Sequence, residues 1–400
     1  MNIAITGASG YIGSRLTEKM SAGPNKLRCL VRDKTAFVER FNHPLIEAKE
    51  CDLLKPETLS NKLENIDTAF FLVHSLASDN DFDEDEVACA QNFLNEAINS
   101  GVKRIIYLGG LTAKTDKISR HLSSRLRVGE LLRSSSIECI EFQASIIIGR
   151  GGLSYEIMRN LVERLPAMIT PKWVSSLAQP IWIEDVVDYL SLSIDSHFEG
   201  SRVIQIGGPD KVSYKDLMKE YGRQRGIKRA MISVPVLTPH LSSLWLGLVT
   251  PVYARAGRKL INSLTSDSIV TEKNGMEIFP ITPINYKEAI QNVLKDSETG
   301  PVSRWFDANS SASKTPKKIG FGSKNLSDFK YRFEDTRFVD VQGNISDAIK
   351  PINEIGGRNG WYYANILWRI RGWFDLLIGG VGMRRSRSVS YTHLTLPTKA

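Results

Sequence analysis

Three glycines near the start of the chain constrain its fold more than any other feature. They stand in Gly7-Ala8-Ser9-Gly10-Tyr11-Ile12-Gly13, after the apolar stretch Asn2–Thr6 and at the head of the amphipathic stretch Tyr11–Ser21. A strand that turns through glycine into a helix leaves the first helical N–H groups and the positive end of the helix dipole free, which favours phosphate oxygens. The glycines allow a tight turn, close approach of backbone to a pyrophosphate, and close helix–strand packing. A lone glycine pattern would fit a structural turn equally well, so the surrounding pattern has to decide.

That pattern alternates apolar strands with amphipathic helices. Strands are expected at Leu27–Val31, Ile46–Cys51, Ala69–Val73, Arg104–Leu108 and Ile137–Phe142, with Ala69–Val73 free of charge as a central parallel strand should be. A short helix is expected over Pro56–Leu63, a long one over Asp85–Ser100 ending at Gly101, and another over Leu122–Arg133. Six β/α units in order predict an α/β fold, a doubly wound parallel Rossmann sheet. After Gly149 the pattern loosens. Helices are expected at Ser154–Leu165, Ile183–Ser193 and Tyr214–Arg225, the last capped by Ser213, with a seventh strand at Arg202–Ile206. We read 1–295 as one dinucleotide-binding domain whose residues 150–295 form a small substrate lobe and closing elements. The polar stretch 296–325 reads as a linker, and residues 326–387 as the start of a second domain.

At 400 residues the chain exceeds one compact core, in keeping with two domains. Its net charge of +8 is spread among interspersed acids, apart from Arg384-Arg385-Ser386-Arg387, so no nucleic-acid partner is expected. Cys29, Cys51, Cys89 and Cys139 lack metal-ligand spacing and read as small buried residues in a reducing, cytoplasmic setting, with no metal. No leader pattern and no run of eighteen apolar residues is seen, so neither export nor a transmembrane segment is expected.

The end of the second strand selects the cofactor. An acid there suits the ribose 2′-hydroxyl of NAD and an arginine the 2′-phosphate of NADP. The sequence reads Val31-Arg32-Asp33, and a guanidinium grips a phosphate bidentately, so NADP(H) is favoured over NAD(H). The competing reading is a surface Arg32–Asp33 pair. Asp52-Leu53, after the third strand, either touch the adenine or cap the next turn. Val73 ends the fourth strand at the cofactor edge, and His74-Ser75, which follow it, either line the nicotinamide pocket or form a plain loop.

The glycine loop, Val31-Arg32, Cys51-Asp52-Leu53 and Tyr107-Leu108-Gly109-Gly110 together resemble the atypical short-chain dehydrogenase/reductases with an NmrA-like or epimerase-like Rossmann domain. Ile146–Gly149, Glu163–Pro166, Gln179-Pro180-Ile181 with Glu184-Asp185-Val186, Ile206–Pro209, Pro235–Pro239, Leu241–Trp245 and Gly356-Gly357 with Gly360-Trp361 extend the similarity to YbjT-like bacterial proteins. The resemblance implies a nucleotide-bound, oxidoreductase-like protein joined to a C-terminal domain of unknown function, of the α+β helix-grip (polyketide-cyclase/START-like) type. The last residues, 388–400, resemble translated sequencing-adapter read-through, which makes them an expected non-native tail on a truncated domain.

Against the family pattern, the catalytic Tyr-x-x-x-Lys is missing. The corresponding helix reads His121-Leu122-Ser123-Ser124-Arg125, and Gly109-Gly110 replace the serine that ends the fifth strand. His121 and Arg125, at i, i+4 spacing, either face the cofactor or form a solvated polar face; a histidine can relay a proton, whereas arginine is a fixed cation. Gln143 stands where extended relatives carry a phosphate-reading arginine. Gln179, near Trp182, either faces the substrate or shapes the turn before Pro180. Trp361, Trp368 and Trp373 either line an apolar cavity or pack a core. Three functions fit these residues. One is hydride transfer to a small carbonyl or quinone-like acceptor, which for a quinone needs no protein proton donor. The others are an NADPH-binding redox sensor or assembly factor with a protein partner, and a hydrophobic-ligand binder acting through the C-terminal domain.

Overall fold

The computed structural model describes residues 1–73, 82–111, 119–164, 167–170, 172–196, 198–233, 266–272, 275–296, 344 and 364–377. The chain divides into two units, residues 1–309 and 310–400.

The first unit is built on β1 (Asn2–Thr6), α1 (Tyr11–Ser21), β2 (Lys26–Val31), α2 (Lys34–Arg40), β3 (Ile46–Glu50), β4 (Thr68–Phe71), α3 (Phe82–Asn99), β5 (Arg104–Gly110), α4 (Arg120–Arg133) and β6 (Glu138–Ala144). With β11 (Arg202–Ile206) the strands form a seven-stranded sheet in the order β3-β2-β1-β4-β5-β6-β11. Every pairing in it is parallel. Strand order reverses between β1 and β4, and in such a sheet the crevice for ligands opens at that point, beyond the carboxyl ends of the strands. This is the expected doubly wound Rossmann sheet.

One core layer joins Ile3, Ile5, Leu16, Cys29, Phe70 and Ile106; the other joins Ala4, Leu30, Phe71, Phe93, Ile105 and Tyr107. Successive residues of β1 and β4 thus enter opposite layers, which is why both strands lack charge. All four cysteines are free and buried, and burial pushes the thiols of Cys29 and Cys89 up to about 12 and that of Cys51 up to about 11.

Two elements depart from the sequence expectation. The helix expected over Pro56–Leu63 is a single 3-10 turn, Pro56–Thr58. Asn61 and Asn65 adopt left-handed conformations (φ 59° and 60°), and Thr58 turns its hydroxyl onto the backbone of Asp52 and Lys55, so the turn closes instead of propagating. Conversely α2 was not expected. Asp33 caps it, its carboxylate accepting the Ala36 N–H at 3.0 Å. The long helix α3 ends as predicted, at Gly101 with φ +71°.

The lobe comprises β7 (Ile147–Ile148), α5 (Leu153–Arg164), β8 (Ala167–Thr170), β9 (Leu177–Ala178), β10 (Ile181–Trp182), α6 (Ile183–Leu192), β12 (Val212–Ser213), α7 (Tyr214–Gln224), β13 (Ala230–Ser233), α8 (Gly275–Ile278) and α9 (Tyr286–Asp296). Its own core gathers Ile148, Tyr155, Leu161, Tyr214, Leu217, Tyr221 and Ile290. Ser213 caps α7 as expected, in a reciprocal capping box with Asp216. In the second unit the described helix is α10 (Asn365–Leu377). Trp368 is half-buried beside the Arg371 guanidinium, while Ile366, Leu367, Ile370 and Trp373 are 48–68% exposed. Trp361, the linker 296–325 after Asp296, and the tail 388–400 lie outside the described residues.

Candidate dinucleotide site

The glycine loop has the conformation its residues suggest. Gly7 holds φ +69°, and a Cβ there would lie 2.7 Å from the Leu72 carbonyl oxygen, so only glycine lets β1 turn this close to the end of β4. Gly10 donates to the Gly7 carbonyl at 2.8 Å. A Cβ on Gly13 would lie 2.2 Å from that same carbonyl oxygen, so the first turn of α1 sits directly on the loop. Thr6 fastens the base: its hydroxyl donates to Phe70 O at 2.9 Å and accepts from Leu72 N–H at 3.2 Å, tying β1 to β4.

The N-cap of α1 is Gly10, no side chain caps the helix, and no acid stands in its first turn. Its first N–H groups and dipole end therefore lie uncompensated at the carboxyl edge; of the loop's other residues Ala8 is buried in the core, while Ser9, Tyr11 and Ile12 are half-buried. The glycines let the loop pack this tightly against β4 and α1, and an uncapped helix start of this kind presents the donors that phosphate oxygens accept from.

Parallel topology brings the other candidates to the same edge. Arg32 is exposed at the end of β2, next to β1, and Lys34 two residues on opens α2. Asp33 is occupied as the α2 cap. Asp52 shapes the turn after β3: its carboxylate accepts the Leu54 N–H at 3.2 Å and its carbonyl accepts from Lys55 and Thr58. Leu53 is buried, with its carbonyl held by Asn92 of α3 at 2.9 Å. Val73 is half-buried, its N–H 3.2 Å from where a Gly7 Cβ would lie. His74 and Ser75 lie outside the described residues.

Next to β5 the structure corrects one expectation. Arg125 is no solvated face: its side chain is 12% exposed. Its guanidinium donates to Glu86 Oε1 at 3.1 Å and to the Leu108 carbonyl, and it stacks on the Tyr107 ring at 5.0 Å. Glu86 is buried and also accepts from the Ser124 hydroxyl at 2.8 Å. Burial opposes the charge of Arg125, but Tyr107 and Glu86 together hold its pKa above the ordinary guanidinium value. The cation is thus a fixed strut between α3, α4 and the end of β5. His121, one turn earlier, is half-buried.

Gln143 and Gln179 have defined partners. Gln143, paired with Gly109 across the β5–β6 ladder, donates to Glu141 Oε1 at 2.8 Å, and buried Glu141 pairs with Arg133. Gln179 donates to Gly208 O at 2.7 Å and accepts the Val270 N–H at 3.0 Å, stapling three lobe segments. Asp185 accepts the Ile284 N–H at 3.1 Å, and burial pushes its carboxyl up to about 6 against that bond. The Gln-Pro-Ile and Glu-Asp-Val stretches are therefore tied into the lobe's internal framework. Three residues that shape this region carried no clear sequence signal: Thr6 and Glu86 have partners far along the chain, and Glu141 is a carboxylate buried within an otherwise apolar stretch of β6. Asp33 did carry one, an N-cap acid before a short run of helix formers.

Comparison with known proteins agrees with this architecture. Residues 1–161 match the NmrA-like family, and residues 329–399 match a protein family of unknown function, DUF2867. A photosystem II assembly factor, Ycf39, of Guillardia theta is 22% identical over 240 residues, 59% of this chain and 74% of that protein. The Citrobacter sp. triphenylmethane reductase complexed with NADP(H) superposes with a TM-score of 0.60 at 15% identity, over 73% of this chain and 100% of that one. The NADPH-dependent quinone oxidoreductase of Escherichia coli, complexed with NADPH, gives 0.60 at 17% identity, over 73% and 99%. The likeness to NmrA-like and epimerase-like Rossmann proteins read from the motifs therefore holds, with DUF2867 at the C-terminal end.

Proposed function

We propose that this chain binds NADP(H) at the α1 N-terminus and passes hydride to a small carbonyl or quinone-like acceptor held between the sheet edge and the lobe. The observation that carries the reading is the uncapped first turn of α1 over the Gly7–Gly13 cradle, at the point where strand order reverses. Exposed Arg32 supports the 2′-phosphate assignment, and the two NADP(H)-bound structural neighbours have the same fold. The nicotinamide would supply the hydride; the chain's own residues hold the phosphates and close the adenine side through Asp52 and Leu53. A quinone-like acceptor suits a helix α4 with no tyrosine, because its proton can come from solvent.

The test is a titration of the full chain with NADPH and NADH, followed by turnover with a panel of aldehydes and quinones. We expect tighter binding of NADPH, and a preference that falls about ten-fold in Arg32→Ala as one charge-assisted contact is lost. NADH binding more tightly than NADPH would overturn the cofactor assignment. A second reading, a cofactor-bound sensor or assembly factor, is favoured by the immobilised Arg125–Glu86 pair and by the assembly-factor relative. Tight NADPH binding with no turnover of any acceptor would select it.

A further inference from the structure

Helix α1 presents three residues at four-residue spacing, Tyr11, Arg15 and Lys19, and all three are engaged with the lobe. Tyr11 is the first helical residue after the Gly10 cap. Its ring lies in a slot that exists because two lobe residues have no side chain. A Cβ on Gly149 would come 2.1 Å from the Tyr11 hydroxyl, and one on Gly152 3.0 Å from the ring carbon that carries it. Arg15 stacks on the Tyr11 ring at 4.9 Å, donates to the Arg150 carbonyl at 3.1 Å and pairs with Glu184 at 3.4 Å. Lys19 pairs with Asp188, one turn further along α6. The turn that receives Tyr11 is itself closed by Gly152 N–H on Gly149 O at 3.1 Å and by Gly151 N–H on Glu156 at 3.1 Å.

From this geometry we infer that Tyr11 and Arg15 are positioning residues that make the pyrophosphate loop and the 149–152 turn one mechanical unit, so that an occupied cofactor site holds the inner edge of the lobe in place. The inference rests on the dinucleotide reading of the Gly7–Gly13 loop. Its physical basis is that one helix carries both functions: its first N–H groups meet the phosphates, while its first side chain is wedged under the lobe. Whatever fixes the first turn fixes the wedge. Linkage makes the effect reciprocal, so loosening the turn weakens cofactor binding.

Hydrogen exchange of the full chain, with and without NADPH, tests this in wild type, Tyr11→Phe and the Tyr11→Ala/Arg15→Ala double variant. In wild type we expect NADPH to slow exchange in residues 7–16 and, by about three-fold or more, in residues 149–157. Tyr11→Phe keeps the ring and should behave as wild type. The double variant should keep protection in 7–16 and lose it in 149–157. Gly152→Ala, whose new methyl crowds the Tyr11 ring at 3.0–3.1 Å, should weaken NADPH binding about three-fold although residue 152 lies outside the loop. Equal protection of 149–157 in the double variant and wild type, or protection confined to 7–16 in wild type, overturns the coupling while leaving the cofactor reading intact. No protection at 7–16 in wild type overturns both.

Discussion

Gly13→Ala isolates the contact on which the dinucleotide site depends. The added Cβ would lie 2.2 Å from Gly7 O, 2.8 Å from its carbonyl carbon and 2.9 Å from Ala8 Cα, where ordinary contact begins at 3.4 Å. All three neighbours are backbone, so no side chain can rotate away; the loop or the helix has to move by about 1 Å. Overpacking on this scale costs roughly 1–3 kcal/mol of stability. The larger effect falls on binding, because phosphate bonds from backbone N–H groups weaken steeply once stretched by that distance. Loss of two such bonds at about 1.5 kcal/mol each gives about 3 kcal/mol, or a Kd for NADPH about 100-fold weaker. Fluorescence titration measures the binding, and thermal unfolding with circular dichroism verifies that the variant is folded at the assay temperature. A folded Gly13→Ala protein that binds NADPH within about three-fold of wild type would refute the packing argument and the site built on it.

Two further outcomes follow from buried carboxylates. Asp185 has a folded pKa of about 6 against 3.8 for the free group, so the fold favours its protonated form: this contribution is complete below about pH 4 and is lost as pH rises toward 6. Asp185→Asn should therefore stabilise the protein at pH 8 by about 1–2 kcal/mol, after allowance for partial solvent screening, with the gain vanishing near pH 4 in urea unfolding curves; a pH-independent difference would contradict it. Gly129→Ala places a Cβ 2.3 Å from Glu141 Oε2, so despite alanine's better helix propensity it should lower stability by about 2 kcal/mol through the Glu141–Arg133 pair, and a stabilised variant would contradict this.

The parts of the fold that were legible in the sequence are those fixed by local chemistry. Gly7-x-x-Gly10-x-x-Gly13 after a charge-free strand, Gly101 after a long periodic helix and Ser213 three residues before Asp216 each dictate backbone geometry within a few residues. What was illegible depends on distant partners. The sequence places Arg125 on the polar face of a helix, because nothing local announces that Glu86, 39 residues earlier, is buried against it. Asp33 sits beside Arg32 in sequence, yet Asp33 caps α2 while Arg32 stays exposed at the end of β2, a separation that only the start of the unexpected helix makes visible. Gln179 has one covalent neighbourhood but bonds to residues 208 and 270, so its role as a staple has no sequence signature.

The helix that lacks Tyr-x-x-x-Lys packs on a wall of fixed charges. Gly109, at the end of β5, has the Glu141 carboxylate 3.0 Å from where its Cβ would be, and Gly129 on α4 has it at 2.3 Å. Glu141 thus fills the wall between β5 and α4 with a charge balanced by Arg133 and a hydrogen bond from Gln143. One turn and more away on the same helix, Arg125 is locked onto Glu86 and Leu108. Two ion pairs, Glu141–Arg133 and Glu86–Arg125, hold this wall rigid, and both of their carboxylates are buried. On the proposed reading, an α4 without a tyrosine suits acceptors that take their proton from solvent, which makes quinones the more informative half of the acceptor panel.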